Sequence, residues 1–600
     1  MDAKVSPYKA SKRVKRTLLL LAIALVALAS CTDKDNKTMD QKKEKMVIYQ
    51  VLPRLFGNDN RTCQPDGSKQ VNGCGHMADF TPRALGQIRS LGATHVWYTG
   101  IIEHATQTDY SLYGIPSDNG AVVKGMAGSP YAIRDYYDVD PDIATSIPAR
   151  MAEFEQLVRR THEAGMRVII DFVPNHVARQ YHSDAKPDSI RDLGEDDDRT
   201  QAFSPQNNFY YIPGEPLRIE GVDLNGYEEF PARATGNDQF SATPRHDDWY
   251  ETVKLNYGVD YLDGRTTHFD PVPRTWKMML QILQFWASKD IDGFRCDMAE
   301  MVPVEFWRWA ITQVKALHPR IIFIAEIYNP EAYHTYIEQG HFDYLYDKVG
   351  MYDCLRAVTQ GNMQASDITR AWQATDDIRQ HMLYFLENHD EQRIASDFFA
   401  GDGDCGRAPM IVSACLGTNP IMVYFGQELG ERAMDAEGFS GRDGRTTIFD
   451  YWTVDAVRRW RNHGRFDNRQ LTPKEVSLQQ FYSRLLHLVG EEPALREGEM
   501  YDLMYANLRN ERFNAGRHFA FVRRLGNELI LVVANFDEQD AEVEINIPAH
   551  LFEFFGLPES EAVQAQGLLS DCPFHISFTS HQPTRLLVPA HNGRLLKFRL

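Results

Sequence analysis

Residues 293–297 read Gly-Phe-Arg-Cys-Asp, at the end of a predicted strand. It places Arg295 and Asp297 two residues apart, so both side chains point to the same side of a predicted strand. The apolar run 322–325 likewise ends in Glu326, and residues 385–390 (Phe-Leu-Glu-Asn-His-Asp) end a third run in the same way. A charged group directly after a core strand is costly unless it is paired or catalytic. One such group would predict an ion pair, whereas three at successive strand ends, beside an arginine and two histidines, indicate an active site.

Short apolar runs and amphipathic helical patterns alternate on both sides of this stretch. Eight strand–helix units in sequence predict an α/β fold, the (β/α)8 TIM barrel, in which catalytic groups lie at the carboxyl ends of the strands. A doubly wound open sheet has the same alternation, and periodicity alone does not exclude it. The positions of the carboxylates favour the barrel. The predicted strands are 47–53, 94–99, 167–173, 294–298, 321–327, 344–346, 382–387 and 421–425.

Two regions depart from this alternation. Residues 178–270 follow the third strand, are rich in Asp, Asn, Pro, Gly and Tyr, and are predicted to form an inserted subdomain. Residues 499–600 change to alternating strands and are predicted to form a C-terminal antiparallel β-sandwich. The catalytic barrel is therefore assigned to residues 46–177 and 271–498.

The N-terminus has the parts of an export signal. Lysines and arginines are concentrated in residues 4–16, an apolar stretch too short for a comfortable membrane span covers residues 17–29, and residues 28–31 read Leu-Ala-Ser-Cys. These four resemble a bacterial lipoprotein cleavage box, which makes Cys31 the expected lipidation site; a plain secretory peptide is the alternative. We expect a lipoprotein signal peptide (1–30), a polar tether (31–45) and an exported cell-envelope lipoprotein, on the periplasmic or surface face of the outer membrane. Its only membrane contact would be the lipid anchor.

Charge and cysteine content exclude other classes of function. The net charge of −19 argues against nucleic acid as a partner, because phosphate binding requires a basic face. With no CxxC pair and no HExxH stretch, no zinc site is indicated. In an exported protein, Cys63 and Cys74, or Cys405 and Cys415, are close enough in sequence to form disulfides, and this stays open.

Four strings together resemble the sequence signatures of the α-amylase family, glycoside hydrolase family 13. They are residues 171–176 (Asp-Phe-Val-Pro-Asn-His), 293–297, 325–326 (Ala-Glu) and 388–390 (Asn-His-Asp), and they occur in the family's order on predicted strands. Residues 253–256 (Val-Lys-Leu-Asn) resemble a fifth signature, closest to that of neopullulanase-like members, and residues 426–428 (Gly-Gln-Glu) resemble the usual end of the eighth strand. The resemblance covers residues 46–600.

The resemblance implies a retaining mechanism that uses three carboxylates. Asp297 is the expected nucleophile and Glu326 the expected acid/base, on either side of the glycosidic bond. Asp390 is expected to hold sugar hydroxyls and favour distortion towards the transition state. Arg295 is expected to keep Asp297 ionised and oriented.

Four further residues are expected to bind substrate. His176 and His389 would donate hydrogen bonds to hydroxyls of the cleaved sugar. Tyr131, within residues 129–136, resembles the tyrosine that stacks beneath that sugar in the family, although Pro130 replaces the usual glycine. Asn256 belongs to the fifth signature.

The expected reaction is hydrolysis of mainly α-1,4 bonds in starch-like glucans or maltodextrins through a covalent glycosyl-enzyme intermediate. An α-glucan transglycosylase or a sucrose/trehalose-type isomerase uses the same chemistry and stays open. A non-catalytic glucan-binding lipoprotein is disfavoured, because such relatives usually lose catalytic carboxylates. The chemistry requires no cofactor. A structural calcium ion is compatible with the resemblance, since relatives often bind one at the position of Asn175, but its ligands are unassigned. Residues 196–198 offer carboxylates, although a solvated loop is the simpler interpretation of this acidic run.

Overall fold

The computed structural model describes residues 44–436, 438, 439 and 441–600. The predicted signal peptide, Cys31 and all but the last two residues of the predicted tether lie outside these residues. Within the described part of the chain, no helix combines the length and the apolar character needed to cross a membrane.

Eight parallel strands close into a barrel, in which successive barrel strands pair with each other and the last pairs with the first. The predicted TIM barrel is therefore confirmed, and the open sheet is excluded. The barrel strands are β1 (Val47–Val51), β2 (His95–Tyr98), β3 (Arg167–Phe172), β4 (Gly293–Cys296), β5 (Ile322–Ala325), β6 (Tyr344–Tyr346), β7 (Met382–Phe385) and β8 (Ile421–Tyr424).

The strand register brings the ends of β3, β4 and β5 to one edge of the barrel. Arg295 on β4 pairs in register with Asp171 on β3. The hydrogen-bond ladder continues one residue past the strands: the N–H of Asp297 donates to the last carbonyl of β3 (2.9 Å), and the N–H of Glu326 donates to the last carbonyl of β4 (3.1 Å). Backbone pairing therefore fixes where both carboxylates leave the barrel.

Side chains alternate between two apolar clusters, as expected for barrel strands. The smaller cluster contains Ile48, Trp97, Ile169, Ile324 and Met422, which lie on one face of their strands. Their chain neighbours belong to the larger cluster, which also contains the helices. The helices of six residues or more are Pro82–Ser90, Arg150–Glu163, Arg274–Ala287, Val304–Leu317, Tyr333–Glu338, Asp353–Thr359, Asp367–Gln373, Arg407–Cys415, Asp455–Arg461, Pro473–Glu491 and Ala549–Phe555.

Local capping sets helix boundaries more sharply than apolar periodicity does. The periodicity predicts a helix over 478–489, but the helix runs over Pro473–Glu491. Thr472 and Glu475 form a capping box, and Pro473 occupies the first helical position. The predicted start was too late because the apolar pattern begins only at Leu478.

Short antiparallel ribbons shape the segment after β3. His176–Ala178 pairs with Thr252–Lys254, which places His176 opposite Lys254. A second ribbon, Ile102–His104 with Ile133–Val139, follows β2 and leads from Tyr131 back towards the barrel. Smaller ribbons join Tyr211–Ile212 with Ala232–Arg233, and Val259–Asp260 with Thr266–Thr267.

Antiparallel strands form the C-terminal region, as predicted. The apolar pattern predicts strands such as 519–522, 529–535, 541–547 and 595–600. Strands at 560–567, 573–578 and 584–588 were not named, because many of their side chains are polar and exposed. In spatial order, one sheet contains Glu499–Asp502, His518–Leu525, Glu528–Asn535, Asn592–Arg599, Ser560–Gly567 and Pro573–Phe578, and a separate pair contains Ala541–Ile545 and Thr584–Val588.

Neither disulfide considered from the sequence is formed. The Sγ of Cys74 donates to two backbone carbonyl oxygens, and the Sγ of Cys63 donates to a third. Cys405 and Cys415 are thiols.

Candidate active site

One buried guanidinium group, that of Arg295, joins three carboxylates at the edge of the barrel. Its Nη1 lies 2.7 Å from Oδ1 of Asp297 and 3.3 Å from Oδ1 of Asp171. Its Nη2 lies 2.7 Å from Oε2 of Glu326. The carboxylates come from the ends of β3, β4 and β5, so the barrel register sets their spacing.

Burial, together with an excess of negative over positive charge around Arg295, raises the pKa of carboxyl groups in the site. Burial raises the pKa of Asp297 well above its ordinary value; Arg295 opposes the shift, and the carboxylate of Glu326 adds to it. Burial also raises the pKa of Asp171, whose Oδ2 accepts a hydrogen bond from Nε1 of Trp97 (2.9 Å). Full ionisation of the cluster is therefore costly, and the site favours holding a proton.

Two donors besides Arg295 hold the Glu326 carboxylate. The backbone N–H of Met298 donates to its Oε2 (2.8 Å), and the hydroxyl of Tyr328 donates to its Oε1 (2.7 Å). Met298 adopts a left-handed backbone conformation (φ 42°), which turns the chain just after Asp297. That turn brings the N–H of Met298, the residue after Asp297, onto the carboxylate of Glu326.

His389 links Asp390 to the barrel interior. The amide of Gln50 lies 2.8 Å from Nδ1 of His389, and Nε2 of His389 lies 3.0 Å from Oδ2 of Asp390. If the Gln50 amide donates to Nδ1, the ring proton is on Nε2 and points to Asp390. Burial alone would raise the pKa of Asp390, but His389, Arg295 and Arg445 together hold that pKa below its ordinary value. Asp390 is thus kept as a carboxylate.

Two other predicted binding residues, Tyr131 and His176, are held by neighbouring side chains. The ring of Tyr131 stacks on His389 with 5.0 Å between centroids and 22° between planes. The Nδ1 of His176 lies 3.1 Å from the amide nitrogen of Asn175 and accepts from it, which leaves Nε2 as the donor. Burial, with the positive charges of Lys254 and Lys124, lowers the pKa of His176 to about 3, so the ring is neutral.

A cavity of about 180 Å³ opens over these residues. Tyr131, His176, Asp297, Glu326 and His389 all line it, which brings five of the residues named from the sequence into one pocket. Arg295 lies beneath the lining, behind the carboxylates it contacts. Asp390 contacts the lining through His389.

Asn256 does not line this pocket, and its role in substrate binding stays a prediction. The side chain is fully buried. Its Nδ2 donates to the carbonyl of Ser204 (2.8 Å), and its Oδ1 accepts from the N–H of Gly258 (2.8 Å). With its polar atoms already used by the backbone, Asn256 stabilises a loop of the inserted segment.

Several residues at the site were not predicted from the sequence. Tyr328, two residues after Glu326, does not line the cavity but donates a hydrogen bond to the Glu326 carboxylate. Trp249, Lys124 and Phe449 come from irregular loops, where no periodicity marks which side chains face the pocket.

Lys124 stands between the pocket and a larger cleft. Its Nζ lies 3.1 Å from Oε1 of Glu251 and within 6 Å of the ring centroids of Tyr250 and Phe449. The cleft beyond it has a volume of about 590 Å³ and shares Lys124, Phe439 and Phe449 with the pocket. These three side chains therefore form a partition that separates the carboxylates from the cleft.

A lysine occupies the surroundings of Asn175. The Nζ of Lys254 donates to Oδ1 of Asn175 (2.7 Å) and pairs with Asp238 (2.5 Å). In the acidic run 196–198, Asp197 accepts from two backbone N–H groups and Asp198 caps its own loop. The Asn175 oxygen thus already has a cationic partner supplied by the protein.

Comparison with known proteins gives a family match over most of the chain. The model of the alpha amylase catalytic domain matches residues 50–473. Neopullulanase 2 from Thermoactinomyces vulgaris is 22% identical over 412 residues, which are 66% of this chain and 58% of the relative. A cyclomaltodextrinase from Geobacillus thermopakistaniensis is 22% identical over 520 residues, 84% of this chain and 71% of the relative. The chain thus spans less than two thirds of the length of that neopullulanase.

A solved structure shows the same fold. A noncanonic maltogenic alpha-amylase from Thermotoga neapolitana matches with a TM-score of 0.60 and 22% identity, covering 94% of this chain and 100% of that chain.

Proposed function

We propose that this chain, which belongs to the α-amylase family and is an α-amylase-type glycoside hydrolase, cleaves starch-like glucans or maltodextrins. The bonds cleaved are α-glucosidic, mainly α-1,4, and the configuration at the anomeric carbon is retained. The observation that supports this most is the contact of one buried Arg295 with Asp297 and Glu326, each at 2.7 Å, at the floor of a pocket. That arrangement supplies a nucleophile and an acid/base on neighbouring strands.

In the first step the Oδ of Asp297 attacks the anomeric carbon, and the bond to the leaving oxygen breaks as Glu326 gives that oxygen a proton. The mechanism therefore needs the single proton of the pair on Glu326 and the negative charge on Asp297. Arg295, whose Nη1 lies 2.7 Å from Oδ1 of Asp297, stabilises the negative charge on Asp297. In the second step Glu326 takes a proton from water, the water oxygen bonds to the anomeric carbon, and Asp297 is released.

The other pocket residues would hold the sugar. Tyr131, stacked on His389, offers a flat apolar face to the ring of the substrate. His176 offers a neutral N–H donor to a hydroxyl. Asp390, kept ionised, accepts from hydroxyls and stabilises the positive charge that develops at the anomeric centre. Tyr328 holds the Glu326 carboxylate in place.

The product profile tests the proposal. The enzyme is incubated with starch, pullulan, maltotriose, sucrose and trehalose in water labelled with heavy oxygen, and the anomeric configuration of new ends is followed by NMR. We expect α-configured new reducing ends that carry the label. Products without label would indicate transfer to a sugar, as in a transglycosylase or an isomerase, and β-configured first products would refute retention.

We also propose that the protein is exported and anchored to the cell envelope through Cys31. The charge and apolarity pattern of residues 1–31 supports this. The test compares Cys31→Ser with Cys572→Ser, since Cys572 is an exposed thiol. Only the first change should move the enzyme from the membrane fraction to the soluble fraction; equal fractionation of both variants would contradict the proposal.

A further inference from the structure

A second group of acidic side chains lies outside the pocket, where the ribbon after β2 meets the start of the inserted segment. Glu103, Asp138 and Asp184 each offer one carboxylate oxygen, and these oxygens all lie within 4.8 Å of one another. Asp135, the register partner of Glu103, lies beside them. Glu103 is only 1% exposed, whereas Asp184 is at the surface.

The positive charge near this group does not balance it. Arg150 lies close to Asp138, with 2.5 Å between Nη2 and Oδ2, but 3.8 Å from the nearer oxygen of Glu103. The other nearby arginine, Arg134, pairs with Asp118 at 3.0 Å. Four carboxylates thus share one arginine.

Asp135 and Glu103 differ in how their oxygens are satisfied. The carboxylate of Asp135 accepts hydrogen bonds from the Ser183 hydroxyl and from the backbone N–H groups of residues 137, 184 and 185. Neither oxygen of Glu103 accepts a hydrogen bond, although both are buried. A buried carboxylate without donors is costly. Burial, with repulsion from Asp135, accordingly raises the pKa of Glu103 to about 9.

We propose that Glu103, Asp138 and Asp184 bind a divalent cation, with calcium as the best fit. The donors are all carboxylate oxygens, the ligands that hard cations prefer. Calcium–oxygen distances of about 2.3–2.6 Å allow two ligands of one ion to be up to about 5 Å apart, and the oxygens here meet that limit. Bound water would complete the coordination on the open side, next to Asp184.

The position of the site gives it a structural consequence. Asp184 lies at the start of the inserted segment, and Glu103 and Asp138 lie on the two strands of the ribbon, of which the second begins just after Tyr131. A cation held by all three ties the inserted segment to the ribbon. This site is separate from Asn175, where Lys254 already supplies the cation.

The test measures bound metal and thermal stability of the full chain. The protein is stripped with EDTA, then assayed with and without about 1 mM calcium chloride for metal content by mass spectrometry and for Tm. We expect one calcium-dependent ion and a Tm increase of about 2–5 °C. Magnesium should give a smaller increase, because it requires stricter octahedral geometry.

Three variants decide whether this cluster is responsible. Glu103→Gln neutralises the unsatisfied carboxylate and should fold in EDTA at least as stably as wild type, whereas Asp184→Asn changes an exposed ligand. Both should lose the ion and the Tm increase, and the exposed control Glu220→Gln should keep both. A wild-type protein with no calcium-dependent ion or Tm increase would overturn the proposal, as would variants at 103 and 184 that retain them.

Discussion

Replacement of Arg295 by lysine tests whether the guanidinium shape, rather than its charge, organises the carboxylates. Arg295 reaches Asp297 and Glu326 at 2.7 Å from two different nitrogen atoms, and Asp171 at 3.3 Å. A lysine has a single nitrogen at the end of its chain and cannot place separate donors on carboxylates from three strands.

The expected loss follows from these contacts. Arg295→Lys should lose two of the three charged contacts, each worth about 1.5–3 kcal/mol. The sum, about 3–6 kcal/mol, corresponds to a decrease in kcat/KM of about 10² to 10⁴, since 1.36 kcal/mol is a factor of ten. Most of this should appear in kcat, because Asp297 and Glu326 act on the reacting bond rather than on distant sugars.

The assay measures kcat/KM on maltotriose and on a longer maltodextrin, with Tm recorded for each variant. Arg523→Lys is the matched control: Arg523, in the C-terminal region, is also fully buried, and it donates to the carbonyl oxygens of Cys415, Leu495 and Gly498. It should lose stability but keep kcat/KM nearly unchanged. A folded Arg295→Lys enzyme with more than about a tenth of the wild-type kcat/KM would refute the reasoning.

Three further changes address other parts of the molecule. Tyr328→Phe removes the donor to Glu326 and should lower kcat about 10- to 100-fold with the fold intact; unchanged kcat would exclude a positioning role. Lys124→Ala joins the pocket to the adjoining cleft and should raise kcat/KM on long maltodextrins severalfold relative to maltotriose, whereas a constant ratio would contradict the partition. Glu428→Gln tests a carboxyl whose pKa is raised by burial to about 7. The protonated carboxyl stabilises the fold fully below the unfolded pKa of about 4.3, and this stabilisation is lost as the pH rises to about 7. In denaturant unfolding, the wild-type free energy of unfolding should therefore fall by up to about 1.4 kcal/mol per pH unit over this range, and the variant should lack this fall.

The barrel and its carboxylate edge were predictable because they rest on short-range rules. Apolar runs of strand length, each followed by an ionisable group, identified the ends of β4, β5 and β7 without knowledge of the pairing. Parallel register then brings these ends together wherever the strands close into a barrel. Arg295 and Asp297 illustrate this, since their two-residue spacing already requires both to face the same side.

The rest depends on contacts that leave no local pattern in the sequence. Lys124 and Trp249 line the pocket from loops far apart in the chain, so only the folded structure shows that they meet there. The motif match at Asn256 likewise gave no sign that its amide contacts backbone groups at Ser204 and Gly258. The unsatisfied Glu103 also has no sequence signal, because its neighbours come from three separate segments.

Asp297 and Asp390 should have opposite effects on stability when each is replaced by asparagine. Burial raises the pKa of Asp297, so its ionised form destabilises the folded chain at neutral pH. Asp297→Asn should therefore raise the free energy of unfolding by about 1 kcal/mol, while it lowers kcat by a factor of more than about 10³. His389 and two arginines lower the pKa of Asp390, so its ionised form stabilises the fold above the unfolded pKa, and Asp390→Asn should lower stability. The difference between the variants should shrink as the pH falls below about 4, where carboxyls become protonated in the unfolded chain. Denaturant unfolding at several pH values measures both effects. If the two changes shift stability in the same direction at neutral pH, the conclusion is wrong that positive charge stabilises the ionised form of Asp390 but not that of Asp297.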